Sequence, residues 1–135
     1  MGWLYQSVGM LVVTEAERKA HVAVDPGIVD LTRALIPPQY ALNRTRYAPH
    51  ISVVRDEQVP RWERLAELDG RLVGFSYDPR VVSGEVYWWL RVWSIELLAI
   101  RRYVGLPDLS ELCRPPDGAE CFHTTIGNTK GRGSR

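Results

Sequence analysis

Short β-rich segments alternate with helical segments along the chain, and this alternation limits the folds that the chain can adopt. The best-marked helix begins with Asp25 at the N-cap position and Pro26 at the first helical position, and two prolines end it. Its apolar residues Ile28, Leu31 and Leu35 fall on one face. Together these features predict a helix.

Two further helices and six strands follow from similar signals. Pro60 and Gly70 bound a short helix, and Ser94 and Gly105 bound a longer one. Strands are predicted, from their β-branched and aromatic residues, at 3–13 with a bulge at Gly9, 21–24, 47–54, 71–79, 85–93 and 121–127. The order β-β-α, β-α, β-β-α, β predicts an α+β fold with helices packed on a mostly antiparallel sheet.

Length and composition predict one domain. Of the 135 residues 45% are apolar, which suffices for one packed core. We expect residues 1–128 to form this domain and residues 129–135 to be a flexible basic tail. The sequence has no internal repeat, no apolar run long enough to span a bilayer and no secretory signal at its start, which predicts a cytoplasmic protein without membrane contact. Cys113 and Cys121 are then expected to be free thiols.

The charge balance disfavours a long polyanion as partner. The formal net charge is only +1, whereas a groove that tracks a long nucleic acid requires a large positive excess. The positive residues are mostly Arg, fifteen against two Lys, and Arg suits bidentate contacts to phosphate. A local phosphate site is therefore compatible with the composition. Two cysteines and three histidines make no metal signature, so we expect neither a metal nor a cofactor.

Two of the three histidines lie in the same local pattern, "HISV" at 50–53 and "HTTI" at 123–126. In each, a hydroxyl residue follows two positions after the histidine and an aliphatic residue follows three positions after it. Because side chains alternate along a strand, His50 with Ser52, and His123 with Thr125, each project to one face, about 7 Å apart. Two such matches arise by chance in fewer than about one in a hundred chains of this composition.

Paired imidazoles and hydroxyls suit phosphodiester chemistry. A neutral imidazole accepts a proton from an attacking hydroxyl, and a protonated one gives a proton to a leaving oxygen. Two imidazoles on opposite sides of a phosphorus atom can perform both transfers, and hydroxyls can donate to the non-bridging oxygens. The pattern therefore predicts His50, Ser52, His123 and Thr125 as catalytic residues.

These motifs resemble those of the 2H phosphoesterases, a family named for two His-x-Ser/Thr motifs. The resemblance extends to the length, the order of elements and the 73 residues between His50 and His123. It implies a bilobal, pseudo-symmetric α+β fold with antiparallel sheets lining a central cleft and helices outside. One departure is Thr124, at a position that is usually apolar; we expect it to face the core.

Within that family the chain looks most like the phage anti-CBASS nucleases, on its small size and on "RYAPHISV" and "FHTTIGN". Those enzymes cut the cyclic di- and trinucleotide messengers of bacterial immune systems without a metal. The resemblance implies hydrolysis of a 3′,5′-linked cyclic oligonucleotide in the host cytoplasm. It also implies attack by the ribose 2′-hydroxyl and a 2′,3′-cyclic phosphate intermediate.

Aromatic residues are the candidates for holding the bases, since stacking contributes roughly 1–3 kcal/mol per base. In "EVYWWLRVW", alternation places Tyr87 and Trp89 on one face and Trp88 on the other, which carries apolar residues typical of a core. Tyr87 and Trp89 are then expected in the cleft, and a register shift would exchange Trp89 for Trp88. Tyr5 is a further stacking candidate and Arg46 a phosphate-binding candidate. Core packing for the rings and a solvated loop for Arg46 are the alternatives.

Two other functions remain open. An enzyme that opens 2′,3′-cyclic phosphates at RNA ends would use the same two motifs, although the low net charge disfavours it. A catalytically silent nucleotide-binding module would not require two matched acid–base groups. His21 lacks a hydroxyl partner two residues on and is interpreted as a surface or structural residue.

Overall fold

The computed structural model describes residues 3–131 as an α+β fold with an antiparallel, nearly closed sheet. The strands are β1 (Tyr5–Thr14), β2 (Lys19–Ala23), β3 (His50–Val54), β4 (Leu72–Tyr77), β5 (Val82–Ser83), β6 (Tyr87–Trp93) and β7 (Phe122–Asn128). The helices are α1 (Pro26–Ala34), α2 (Trp62–Glu67) and α3 (Ile95–Tyr103), with a 3-10 turn at Pro38–Tyr40. The predicted α+β class is confirmed, and β5 is an element that the sequence did not predict.

The strand order brings the two motif-bearing strands together. Along the sheet the order is β3-β2-β1-β4-β6-β5, and β7 also pairs with β6. Strand β1 is shared, because Tyr5–Met10 pair with β4 and Leu11–Thr14 pair with β2. At the open side of the sheet β3 approaches β7. The curled sheet thus places β3 and β7 next to each other although they are far apart in sequence.

Gly9 permits a close approach of β1 and the end of β2. The pairing of β1 with β4 runs through Gly9 without a shift, so the predicted bulge at Gly9 is wrong. Instead, a Cβ atom at Gly9 would overlap the carbonyl oxygen of Ala23 and would lie 2.6 Å from a side-chain carbon of Val22. A side chain does not fit there because the first obstacle is backbone. Since Ala23 pairs with His50, this close approach helps to place the start of β3.

Both predicted helix caps are confirmed. The Asp25 carboxylate accepts a hydrogen bond from the backbone N–H of Gly27 at 2.8 Å, and the Ser94 hydroxyl accepts one from Leu97 at 3.1 Å. Such bonds satisfy N–H groups that the first helical turn leaves without partners.

Within residues 3–131, no helix is both long and apolar enough to cross a membrane.

The buried face of α1 differs from the predicted one. Leu31 and Leu35, predicted on the apolar face, are 66% and 78% exposed. Val29 is buried instead, in a cluster with Leu90 and Ile126 of the sheet. The helix is short, so the strands against which it packs decide which of its apolar residues are covered.

Arg101 on α3 is fully buried and is the centre of a polar cluster inside the core. Its guanidinium donates to the carbonyl oxygen of Val53 at 2.7 Å and to that of Pro107 at 2.8 Å. It also forms a bidentate ion pair with Glu57, with both N–O distances 2.8 Å. The thiol of Cys113 donates to the same Val53 oxygen at 3.3 Å. The cluster therefore connects α3, the end of β3 and the segment that precedes β7.

Thr129 and Lys130, predicted as the start of a flexible tail, form hydrogen bonds in the structure. The backbone N–H of Thr129 donates to Val86 at 2.8 Å, and the Thr129 hydroxyl donates to Glu85. The carbonyl of Lys130 accepts from Asn43 at 3.0 Å. Residues 129 and 130 are therefore bonded to the body of the protein, and residues 132–135 lie outside the described residues.

We expect Arg101→Met to lower the free energy of unfolding by about 3–5 kcal/mol, because it leaves the mostly buried Glu57 carboxylate without its cation. The matched control is Arg102→Met on the same helix. Arg102 is exposed and pairs with Asp108 at the surface, so this change should leave the free energy of unfolding nearly unchanged. Urea unfolding of both variants measures the difference, and equal losses would contradict the role given to Arg101.

Candidate functional site

The first motif lies on β3 with the alternation that the sequence predicted. Ile51 and Val53 are fully buried, whereas His50 and Ser52 are half-buried on the other face. The Nδ1 atom of His50 lies 2.9 Å from the carbonyl oxygen of Ala48. Because a carbonyl oxygen can only accept, Nδ1 carries the ring proton, and Nε2 of the neutral ring is left as a proton acceptor.

The second motif, on β7, repeats this arrangement. His123 and Thr125 are half-buried, whereas Phe122 and Thr124 are buried. Thr124 faces the core as predicted, and its hydroxyl has no hydrogen-bond partner among the residues that the structure describes. The Nδ1 atom of His123 lies 3.1 Å from the carbonyl oxygen of Cys113. His123 is thus in the same tautomer as His50, with Nε2 free to accept a proton.

The two imidazoles are close enough to interact electrostatically. Burial lowers the pKa of His123 below its ordinary value of 6.5, although the hydrogen bond to Cys113 opposes this. The charges of His50 and Arg55 lower the pKa of His123 further, and Asp117 acts in the opposite sense. His123 is therefore neutral at about pH 7.

Both motif hydroxyls are available to a ligand. In the part of the chain that the structure describes, the side chains of Ser52 and Thr125 form no hydrogen bond to protein groups. By contrast, the hydroxyls of Ser94 and Thr129 each donate to a backbone carbonyl. The face that carries the histidines thus presents two hydroxyl donors without protein acceptors.

The third histidine also belongs to this site, which the sequence analysis missed. His21 on β2 lies directly opposite Ser52 in the β2–β3 pairing. Its ring centroid is 5.4 Å from that of His50, with the planes at 68°. Burial lowers the pKa of His21, and the charges of His50 and Lys19 lower it further. No local pattern in the sequence indicates this contact, because it depends on which strand pairs with β3 and in which register.

Charged residues next to His123 were also missed as site residues. Arg91 on β6 lies directly opposite His123. It donates to the Asp117 carboxylate at 2.8 Å, and this bond lowers the pKa of Asp117. Arg55, just after β3, is exposed and influences the pKa of His123. Two guanidinium groups therefore accompany the imidazoles.

Trp88 and Trp89, two of the predicted stacking residues, do not offer open ring faces to a base. Trp89 lies opposite Thr125 and thus on the predicted face, but it is only 2% exposed, so its predicted place in the cleft is wrong. Strand β5, which was not predicted, pairs with β6 at Trp89. The ring of Trp89 lies against Gly84. Trp88 is half-buried in the cluster beneath α1, with its ring centroid 5.3 Å from that of Tyr40.

Three other predicted binding residues are exposed but lie apart from the histidines. Tyr87 pairs with Asn128, about 16 Å along β7 from His123 at 3.3 Å per residue. Tyr5 is 54% exposed and forms a ring contact with Tyr77. Arg46 lies over the ring of its neighbour Tyr47, 6.0 Å from the centroid. Within residues 3–131, none of the three forms a hydrogen bond or ring contact with a histidine.

Two cavities of the structure lie away from the histidines. A cavity of about 970 Å³ lies between the β1–β4 surface and α3, and one of about 350 Å³ lies beside α1. Neither is lined by a histidine or by Ser52 or Thr125. Among residues 3–131, no three His, Cys, Asp or Glu side chains are grouped so that they could hold a metal ion.

Comparisons of the chain with protein-family models, with curated proteins and with solved structures gave no match.

We expect stability to fall as the pH falls through about 6.5, because the lowered pKa of His123 means that the unfolded chain binds more protons than the folded one. His21 acts in the same direction. The variant His123→Asn keeps a donor for the Cys113 carbonyl but does not titrate. Urea unfolding at about pH 7.5 and about pH 5.5 should therefore show a smaller loss in this variant than in the wild type. An equal loss in both would contradict the lowered pKa of His123.

Proposed function

We propose that the protein is a metal-independent phosphodiesterase of the 2H type that hydrolyses 3′,5′-linked cyclic di- or trinucleotides, the messengers of bacterial immune systems. One observation carries the proposal. His50 and His123 lie on adjoining strands, each with Nδ1 bonded to a backbone carbonyl, Nε2 free, and an unbonded hydroxyl two residues on. In the host cytoplasm such an activity would serve a phage as a counter-defence.

The proposal includes the bilobal arrangement that the 2H resemblance implies. One lobe would contain β2, β3 and the second half of β1, and the other would contain the first half of β1 with β4, β6 and β7. The shared strand β1 would join the lobes, and each lobe would contribute one motif. The helices would lie outside the cleft.

The first step is transfer of the phosphoryl group to the ribose 2′-oxygen. His123, neutral because of its lowered pKa, takes the 2′-hydroxyl proton at Nε2 as the oxygen attacks phosphorus. The bond from phosphorus to the 5′-oxygen breaks, and protonated His50 gives its Nε2 proton to that oxygen. The step leaves a 2′,3′-cyclic phosphate and a free 5′-hydroxyl.

The second step reverses the two roles. His50, now neutral, takes a proton from water as the water oxygen attacks phosphorus. His123, now protonated, gives its proton to the 2′-oxygen as the cyclic phosphate opens. The product is a linear phosphomonoester, and both imidazoles return to their starting states.

Hydroxyls and guanidinium groups would bind the phosphate in both steps. Ser52 and Thr125 donate to the non-bridging oxygens, on which charge increases in the transition state. Arg55 and Arg91 contribute positive charge at the side of His123. Arg46 remains a proposed contact for a second phosphate.

Exposed tyrosines remain the proposed base-stacking residues. Tyr5 and Tyr87 each present an accessible ring. Trp88 and Trp89, which are packed in the structure, would support the strand from beneath and would not stack on a base. Substitution of a tyrosine should therefore affect KM more than kcat.

The first test compares His50→Ala and His123→Ala with the wild type on 3′,5′-cyclic GMP-AMP in the presence of EDTA. We expect each change to lower kcat by at least about 10²–10⁴-fold, because each removes a proton-transfer group, and we expect EDTA to have no effect on the wild type. Circular dichroism verifies the fold of the variants. Full activity of either variant would refute the mechanism, and faster turnover of an RNA ending in a 2′,3′-cyclic phosphate would assign the chemistry to RNA ends.

Adjacent threonines on β7 provide a second test with a built-in control. Thr125→Val removes the proposed donor to phosphate and should lower kcat by about 10²–10³-fold. Thr124→Val has nearly the same shape change but removes a buried hydroxyl without a partner, so activity should be unchanged and stability equal or higher. Kinetics and thermal unfolding of both variants are measured together. Equal kinetic losses would show that neither hydroxyl is specific to the reaction.

A further inference from the structure

We infer that His21 is a positioning residue for His50: its imidazole, opposite Ser52 on β2, keeps the His50 ring turned so that Nδ1 donates to Ala48 and Nε2 is free. The kinetic consequence rests on the proposed function, whereas the effect on the His50 ring does not. No motif in the sequence marks His21, and only the strand pairing brings it to the site.

The two catalytic rings are held very differently, which explains why His50 requires a second contact. The Nδ1 partner of His123 is Cys113, ten residues away and completely buried. The Nδ1 partner of His50 is Ala48, only two residues upstream in an exposed segment outside any strand or helix. A local bond in an exposed segment restricts rotation of a ring less than a bond to the core.

His21 supplies the missing restriction from a neighbouring strand. The centroid distance of 5.4 Å and the 68° angle match an edge-to-face contact between rings. Because His21 is half-buried and directly opposite Ser52, it also borders the face on which the phosphate would lie.

The neutral state of His21 is part of this role. Burial lowers its pKa, and the charges of His50 and Lys19 act in the same direction. A neutral ring can stay beside His50 when that residue becomes an imidazolium, whereas a permanent cation at this position would repel it. The contact is therefore compatible with both protonation states that the proposed mechanism requires of His50.

The test is the ring tautomer of His50, measured from side-chain ¹⁵N chemical shifts at about pH 8. The wild type should show the Nδ1–H form. In His21→Ala we expect the His50 signals to move toward the Nε2–H form, and in His21→Phe, which keeps a flat ring, we expect them to stay. The signals of His123 are the internal control and should not move. His21→Asn removes the ring but keeps a polar side chain, and it replaces His21→Ala should that variant be unfolded.

The kinetic arm uses 3′,5′-cyclic GMP-AMP. His21→Ala should lower kcat by about 10- to 100-fold with a smaller effect on KM, and His21→Phe should retain most of the activity. An unchanged His50 tautomer in His21→Ala, or a loss in His21→Phe as large as in His21→Ala, would overturn the inference. The expected tautomer change in a protein that cuts no cyclic dinucleotide would refute the proposed function and leave the role of His21 supported.

Discussion

A buried guanidinium connects the two halves of the candidate site. Arg101 donates to the carbonyl of Val53, in the strand that carries His50. The Cys113 thiol, whose pKa burial raises so that it remains a proton donor, bonds to the same oxygen, and the Cys113 carbonyl accepts the Nδ1 proton of His123. Both motifs are therefore connected, through Val53 and Cys113, to the buried Arg101 cluster. The cluster thus helps to place both imidazoles.

The orientation of the imidazoles sets their chemistry. Backbone carbonyls at Nδ1 fix one tautomer in each ring, which leaves two Nε2 atoms able to exchange protons with a ligand. Since the charge of His50 lowers the pKa of His123, the pair accepts one proton more readily than two. The proposed mechanism requires one neutral and one protonated imidazole, and the electrostatic coupling between the rings is compatible with that requirement.

Features that depend on residues a few positions apart were predicted from the sequence better than features that depend on strand pairing. Helix caps and the alternation within both motifs depend on residues a few positions apart, and the structure has them as predicted. The predicted bulge at Gly9 was wrong because the role of this residue depends on the close approach of β2. Trp89 lies on the predicted face but is covered by β5, a strand of two residues that has too weak a pattern to predict. His21 was missed for the same reason, since strand pairing alone places it beside His50.

We propose that the two imidazoles cut a cyclic phosphodiester through attack by the neighbouring ribose hydroxyl. The most direct measurement follows 3′,5′-cyclic GMP-AMP over time, in EDTA, by chromatography with mass detection. We expect a linear dinucleotide with a 2′,3′-cyclic phosphate end to appear first and then to be converted to a phosphomonoester. Recovery of unaltered ligand after long incubation, or equally rapid cleavage of an analogue with 2′-deoxyribose at the cut linkage, would contradict it.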